Sequence, residues 1–248
     1  MNDSISTISP AWPTRWPKDS FTSIWAWLLA AFVAALLVAA FFAEVSSPPM
    51  QARRINPAVF DVAVFAQLFL EGLLVAGVLA ALPRISKFSL RQLGFRRPSA
   101  ATVAFGVLGA IAMVAVADGG EALVDRFTHA VHHQQSVEIF KALHDPATIA
   151  VFAFVAVVAA PIAEESIFRV FFFNFGLRFG GFWAGAALSS VLFGLAHGDL
   201  YAALPLALGG VVLCFVYYRS RNAFASMISH ALFNAFTIVA LLTVPTAT

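Results

Sequence analysis

The sequence predicts an all-α, polytopic membrane helix bundle of about seven (six to eight) transmembrane helices. Three observations carry that prediction. Hydrophobic residues make up 60% of the chain and charged residues only 11%, against roughly 25% charged in soluble domains. Several apolar runs reach the ~20 residues that a helix needs to cross a bilayer. The alternating ~10-residue pattern of a membrane β-barrel is absent from the sequence, which leaves helices as the spanning elements.

The elements follow in order. Residues 1–22, with Pro10, Pro13 and Pro17 among polar side chains, read as a flexible N-terminal tail. The next apolar run, 23–43, exceeds a signal-peptide core. Phe41 also stands where cleavage after Ala43 wants a small residue, so the run is expected to remain as a helix. Further runs place spans at 59–82, 100–117, 148–175, 182–197, 203–218 and 223–244. Residues 23–248 are thus expected to form a single transmembrane domain. The connection 83–98 carries Arg84, Lys87, Arg91, Arg96 and Arg97 with no acid, whereas 118–145 carries five acids against Arg126 and Lys141 and is expected to be a loop. The positive-inside rule puts the first connection, and with it the N-terminus, in the cytoplasm. Arg178, Arg219 and Arg221 fall on the same side, and the compact size favours a bacterial inner (plasma) membrane.

Charge and cysteine content exclude other classes. Formal net charge is +2 and the pI is near 9.0, but no basic stripe suggests a nucleic-acid partner. Cys214 is the sole cysteine, which rules out an intramolecular disulfide and a cysteine metal cluster. His129, His132, His133 and His144 fall in the long acidic connection. His129 and His133 have helical i, i+4 spacing, yet they read as solvated loop side chains and are left out of the site.

The chemistry sits where polar residues interrupt the apolar helices. Ala163-Glu164-Glu165-Ser166-Ile167-Phe168-Arg169 sets three charges into an otherwise apolar segment, and charges at membrane depth are expensive and usually functional. Glu165 and Arg169, four apart, share a helix face and can pair, while Glu164 is turned away by about 100°. Glu164, without a local cation, is the candidate base. Phe193 and His197 share a second helix face, and His230 and Asn234 a third. An imidazole and an amide on one face can aim two donors at a developing oxyanion. Glu71 lies mid-span with Gln67 and Val75 at its i±4 positions and is a supporting candidate. Asp199, after Gly198, reads as a turn, and Gly180-Gly181 and Gly209-Gly210 as packing or turn positions. Depths counted along straight helices place Glu164 ~16 Å, His230 ~10 Å and His197 ~22 Å from the inner helix ends. A water-filled cavity opening inward would reconcile that mismatch.

Glu164-Glu165-x-x-x-Arg169, Phe193-x-x-x-His197 and His230-x-x-x-Asn234, in this order on successive apolar helices, resemble the CPBP family, also called Abi or CAAX-protease-like intramembrane endopeptidases. The resemblance covers about 89–236, including Leu90-Arg91-Gln92-Leu93-Gly94-Phe95, and no motif position departs from the pattern. It implies a catalytic core at about 148–236, in which Glu164 and His197 activate water and His230 and Asn234 form the oxyanion hole. Glu165, Arg169 and Phe193 would support them. A metal-dependent mechanism, with zinc on Glu164, His197 and His230, stays open, but no cofactor is favoured because His-Glu-x-x-His is absent. The expected partners are the lipid bilayer and a membrane-associated protein or peptide substrate, lipidated or not. Two readings from other classes remain beside this one: a proton-coupled transporter using the same ionisable groups as a relay, and a non-catalytic immunity or scaffold protein.

Overall fold

The computed structural model describes residues 24–45, 57–129 and 134–243, and among these every regular element is helical. The expected tail 1–22, His132 and His133 lie outside the described residues. Helices α1 (Ile24–Val45), α2 (Pro57–Ser86), α3 (Ala100–Thr128), α4 (Gln135–Ala142), α5 (Pro146–Phe154), α6 (Ala160–Glu165), α7 (Asn174–Ala196), α8 (Leu200–Ser220) and α9 (Ala223–Thr243) follow one another with short connections. Two π-helical stretches, Val155–Ala159 and Ser166–Phe173, join α5 to α6 and α6 to α7 into one continuous run. Five helical runs are long and apolar enough to cross a bilayer, and Ile24–Leu37 is a shorter apolar helix.

The run Pro146–Ala196 is folded in two. Gly180 and Gly181 leave helical geometry, and Gly181 takes a φ of 66°, which a side chain would resist. The two arms then pack so closely that a Cβ on Gly185 would lie 2.7 Å from the Phe173 carbonyl oxygen. In a straight helix those residues would stand ~18 Å apart. The separate spans expected at 148–175 and 182–197 are the two arms of this hairpin.

Two expected boundaries need correction. Instead of a loop from 118, α3 continues to Thr128, because Ala122, Leu123, Val124 and Phe127 carry on its apolar content between the acids. His129 then ends it in left-handed conformation. Part of the remaining connection is α4, with Lys141 paired to Glu138 at 3.2 Å. His197 does not lie within its helix; it is the cap residue just past α7, because Gly198 adopts a φ of 69° and breaks the helical path.

Side chains are distributed inside out. Phe69, Ile111, Phe154 and Leu242 are exposed on outer helix faces, while Glu165, Arg169, Asn174, Ser189 and Ser229 are buried within. Water would not permit this arrangement, but hydrocarbon favours it, since lipid solvates apolar faces and polar groups must find partners inside. The chain is an integral membrane protein. α3 packs between α8 and α9, α7 lies along α8, and α1 covers α7 through Trp27 against Phe175 and Phe179. Small residues set the α3–α9 distance: Gly109 leaves room for Ser229, whose Oγ donates to the Gly106 carbonyl at 2.9 Å.

Candidate active site

The site forms where the α5–α6 run meets α9 and the second arm of the hairpin. In the first π stretch the Ala160 N–H reaches back five residues to the Val155 carbonyl. In that register the next carbonyl, Ala156, would accept from residue 161, which is a proline and has no N–H. The Asn234 side chain supplies the missing donor, its Nδ2 lying 2.7 Å from the Ala156 oxygen.

The second π stretch is handled in the same way. Ser189 Oγ donates to the Phe168 carbonyl at 2.8 Å, and Asn174 Nδ2 donates to the Val170 carbonyl at 2.9 Å and lies 3.3 Å from that of Arg169. Asn174 Nδ2 also donates to Tyr217 Oη at 2.7 Å, and that hydroxyl donates to the Leu93 carbonyl at 2.7 Å. Side chains from α7, α8 and α9 therefore hold the two underwound stretches that flank the glutamates of α6.

Glu165 and Arg169 are fully buried and pair at 2.9 Å through Nη1. Arg169 Nη2 donates to the Gly210 carbonyl at 3.3 Å, and the guanidinium lies 4.4 Å from the centroid of the Phe193 ring. Glu165 Oε1 also receives His230 Nδ1 at 3.2 Å. Glu164, with its side chain 26% exposed, turns the other way. Its Oε2 lies 3.9 Å from His230 Nε2 and has no hydrogen-bond partner among the described residues. His230 thus stands between the two carboxylates, one at each ring nitrogen.

Helix-counted depths put Glu164 and His230 several ångströms apart in level, yet their side chains meet. The eight π-wound residues 166–173 climb less per residue than an α-helix would, which lowers Glu164 towards His230.

His197 caps α7 with its Nδ1 2.8 Å from the Phe193 carbonyl oxygen. A carbonyl only accepts, so Nδ1 carries the hydrogen and Nε2 presents a lone pair. No hydrogen bond or ion pair joins His197 to Glu164; between the two imidazoles stands Phe193, whose ring centroid is 4.8 Å from that of His197 and 5.7 Å from that of His230. Asn234 and His230 occupy one face of α9, but the observed donors go to different acceptors, Ala156 and Glu165. Asp199 occupies the expected turn and caps α8, accepting from the Tyr201 and Ala202 amides. Glu71 accepts from Gln67 at 2.8 Å.

Among the described residues no three His, Cys, Asp or Glu side chains converge as a metal site. Glu165 holds His230 at Nδ1 and the Phe193 carbonyl holds His197 at Nδ1, which leaves the Nε2 atom of each ring as the one not so committed.

Three supporting residues were not legible as site residues in the sequence. Asn174, Ser189 and Tyr217 sit in apolar helices, and the signal that points to the first two is their place against carbonyls that π winding frees. Pro161, three residues before Glu164, has no partner that the sequence alone makes visible.

Residues 146–236 match the family model described as Type II CAAX prenyl endopeptidase Rce1-like. An 85-residue stretch is 31% identical to the "Putative membrane peptidase YdiL" of Bacillus subtilis (strain 168), covering 34% of this chain and 35% of that one. A 118-residue stretch is 35% identical to the UPF0177 protein YaiF of Lactococcus lactis subsp. lactis (strain IL1403), covering 45% and 49% respectively. The chain spans about a third to a half of the length of these curated relatives. No solved structure matches.

Proposed function

We propose, on the premise that residues 146–236 belong to the CPBP family of CAAX-protease-like membrane endopeptidases, that the protein is an intramembrane endopeptidase. It hydrolyses a peptide bond of a membrane-associated or lipidated protein or peptide, within the lipid bilayer and with no part for nucleic acid. The observation that carries this reading is Glu164 Oε2, a carboxylate oxygen with no hydrogen-bond partner among the described residues, 3.9 Å from an imidazole that Glu165 holds in place.

The residues divide the work as follows. Glu164 takes a proton from water, which His197 Nε2 helps to orient, and the resulting hydroxide attacks the scissile carbonyl carbon. The carbonyl oxygen becomes an oxyanion, held by His230 Nε2–H and by the Asn234 N–H not donated to Ala156. Glu164 returns its proton to the leaving nitrogen as the C–N bond breaks. One guanidinium faces two carboxylates in this cluster, with the His230 ring between them. Glu165 and Arg169 fix the imidazole; they do not touch substrate. The proposed setting is a bacterial inner membrane with the N-terminus in the cytoplasm.

The test is cleavage of a membrane-peptide library by the purified, detergent-solubilised protein. Wild type cleaves, Glu164→Gln loses at least ~100-fold, and a strong chelator changes neither. Equal cleavage by wild type and Glu164→Gln would remove Glu164 as the base; loss on chelation with recovery on adding zinc would replace this mechanism by a metal-dependent one.

A further inference from the structure

We infer that Pro161 is a positioning residue for Asn234: because it has no N–H, it leaves the Ala156 carbonyl free to hold the Asn234 amide in one orientation. This rests on the reading of Asn234 as an oxyanion donor given above. Three observations lead to it. The π register aims the Ala156 carbonyl at residue 161, since Ala160 N–H is already spent on Val155. Residue 161 is a buried proline at the start of α6. The carbonyl so released accepts from Asn234 Nδ2 at 2.7 Å, across 78 residues of sequence.

The consequence for chemistry follows from the amide's geometry. A primary amide carries two N–H groups about 120° apart on one nitrogen, so fixing one fixes the other. An unanchored Asn can exchange its oxygen and nitrogen by rotating about its last torsion, which has a broad two-fold profile. With the oxygen turned inward it would repel an oxyanion. The Ala156 carbonyl prevents this, because it accepts from nitrogen and repels the amide oxygen. Proline beside the glutamates therefore acts through the amide on α9, at no contact with the reacting atoms.

A double-mutant cycle tests this, using the full-length protein in detergent as wild type, Pro161→Ala, Asn234→Ala and the double variant. Unfolding temperature is read first. With Pro161 in place, Asn234→Ala orphans a carbonyl in an apolar interior and lowers the unfolding temperature by several degrees. In the Pro161→Ala background the new N–H takes that carbonyl, and Asn234→Ala costs markedly less. Additive shifts would overturn the inference. Turnover is read second. Pro161→Ala lowers kcat by about 10- to 100-fold, the scale of an ångström's misplacement, with KM and the pH profile unmoved, and adds no further loss once Asn234 is alanine. A Pro161→Ala protein with wild-type kcat would also overturn it. Pro161→Ser, which supplies the same N–H, replaces the alanine variant if that one fails to fold. Should wild type and Glu164→Gln cleave alike, the endopeptidase reading falls, while the coupling in unfolding temperature still decides whether Pro161 and Asn234 share the Ala156 carbonyl.

Discussion

The guanidinium of Arg169 faces the ring of Phe193 at 4.4 Å, and both side chains are buried. The same ring meets the edges or faces of Phe168, His197 and His230. A single phenylalanine thus separates the two candidate imidazoles and covers the buried cation. Phe193→Ala removes a cation–π contact worth about 2 kcal/mol when desolvated and opens a cavity, for a total of about 3–5 kcal/mol. A clear drop in unfolding temperature, with turnover lost even below the transition, is the expected result of thermal melts paired with cleavage assays.

Glu164 and Glu165 are neighbours with opposite sensitivities. Glu165→Gln leaves Arg169 buried without its counter-ion and is expected to destabilise the fold by about 3–5 kcal/mol. Glu164→Gln leaves the Glu165–Arg169 pair intact and is expected to lower the unfolding temperature far less than Glu165→Gln does, while reducing turnover at least ~100-fold. Melting curves and kinetics on the same preparations separate the two effects, and an unfolding temperature lowered equally by both variants would contradict the assignment.

Gly185 tests the hairpin. A methyl group there would press to 2.7 Å from the Phe173 carbonyl, a backbone atom that cannot swing aside. Gly185→Ala is expected to cost about 1–3 kcal/mol by overpacking, whereas Gly72→Ala, which meets nothing within 4 Å, is expected to be neutral or slightly stabilising. Denaturation of both variants in detergent checks the contrast.

Asp145 caps α5 outside the apolar run, and the hydrogen bonds from Thr148 hold its carboxyl below the usual aspartate range. A lowered folded-state pKa contributes stability that is present above the unfolded value and is lost as pH falls through the folded one. Asp145→Ala is therefore expected to lower the unfolding temperature at neutral pH and to differ little from wild type near about pH 2. Melts at the two pH values decide it.

The sequence exposed much of this because membrane helices announce themselves by composition, and because a charge in an apolar run has few reasons to be there. Glu165 and Arg169 could be paired from spacing alone, since i, i+4 geometry survives locally. The partners of the freed carbonyls could not. Asn174 and Ser189 read as isolated polar residues until the π winding supplies their acceptors, one of them 21 residues away in sequence. The end of α3 was hidden for a different reason: acids at Asp118, Glu121 and Asp125 resemble a loop by charge, although a helix accommodates them on a polar face.

Tyr217 gives the buried cluster a mooring outside the helices that bear it. Its hydroxyl links the Leu93 carbonyl, in the connection between α2 and α3, to Asn174 and hence to the backbone of Arg169 and Val170. The glutamate-bearing run consequently cannot ratchet along its own axis without stretching a bond to the buried Leu93 carbonyl, far away in sequence. Its setting along the bundle axis is pegged from one end, as a ruler is pegged at zero, and the height of Glu164 in the bundle is measured from there.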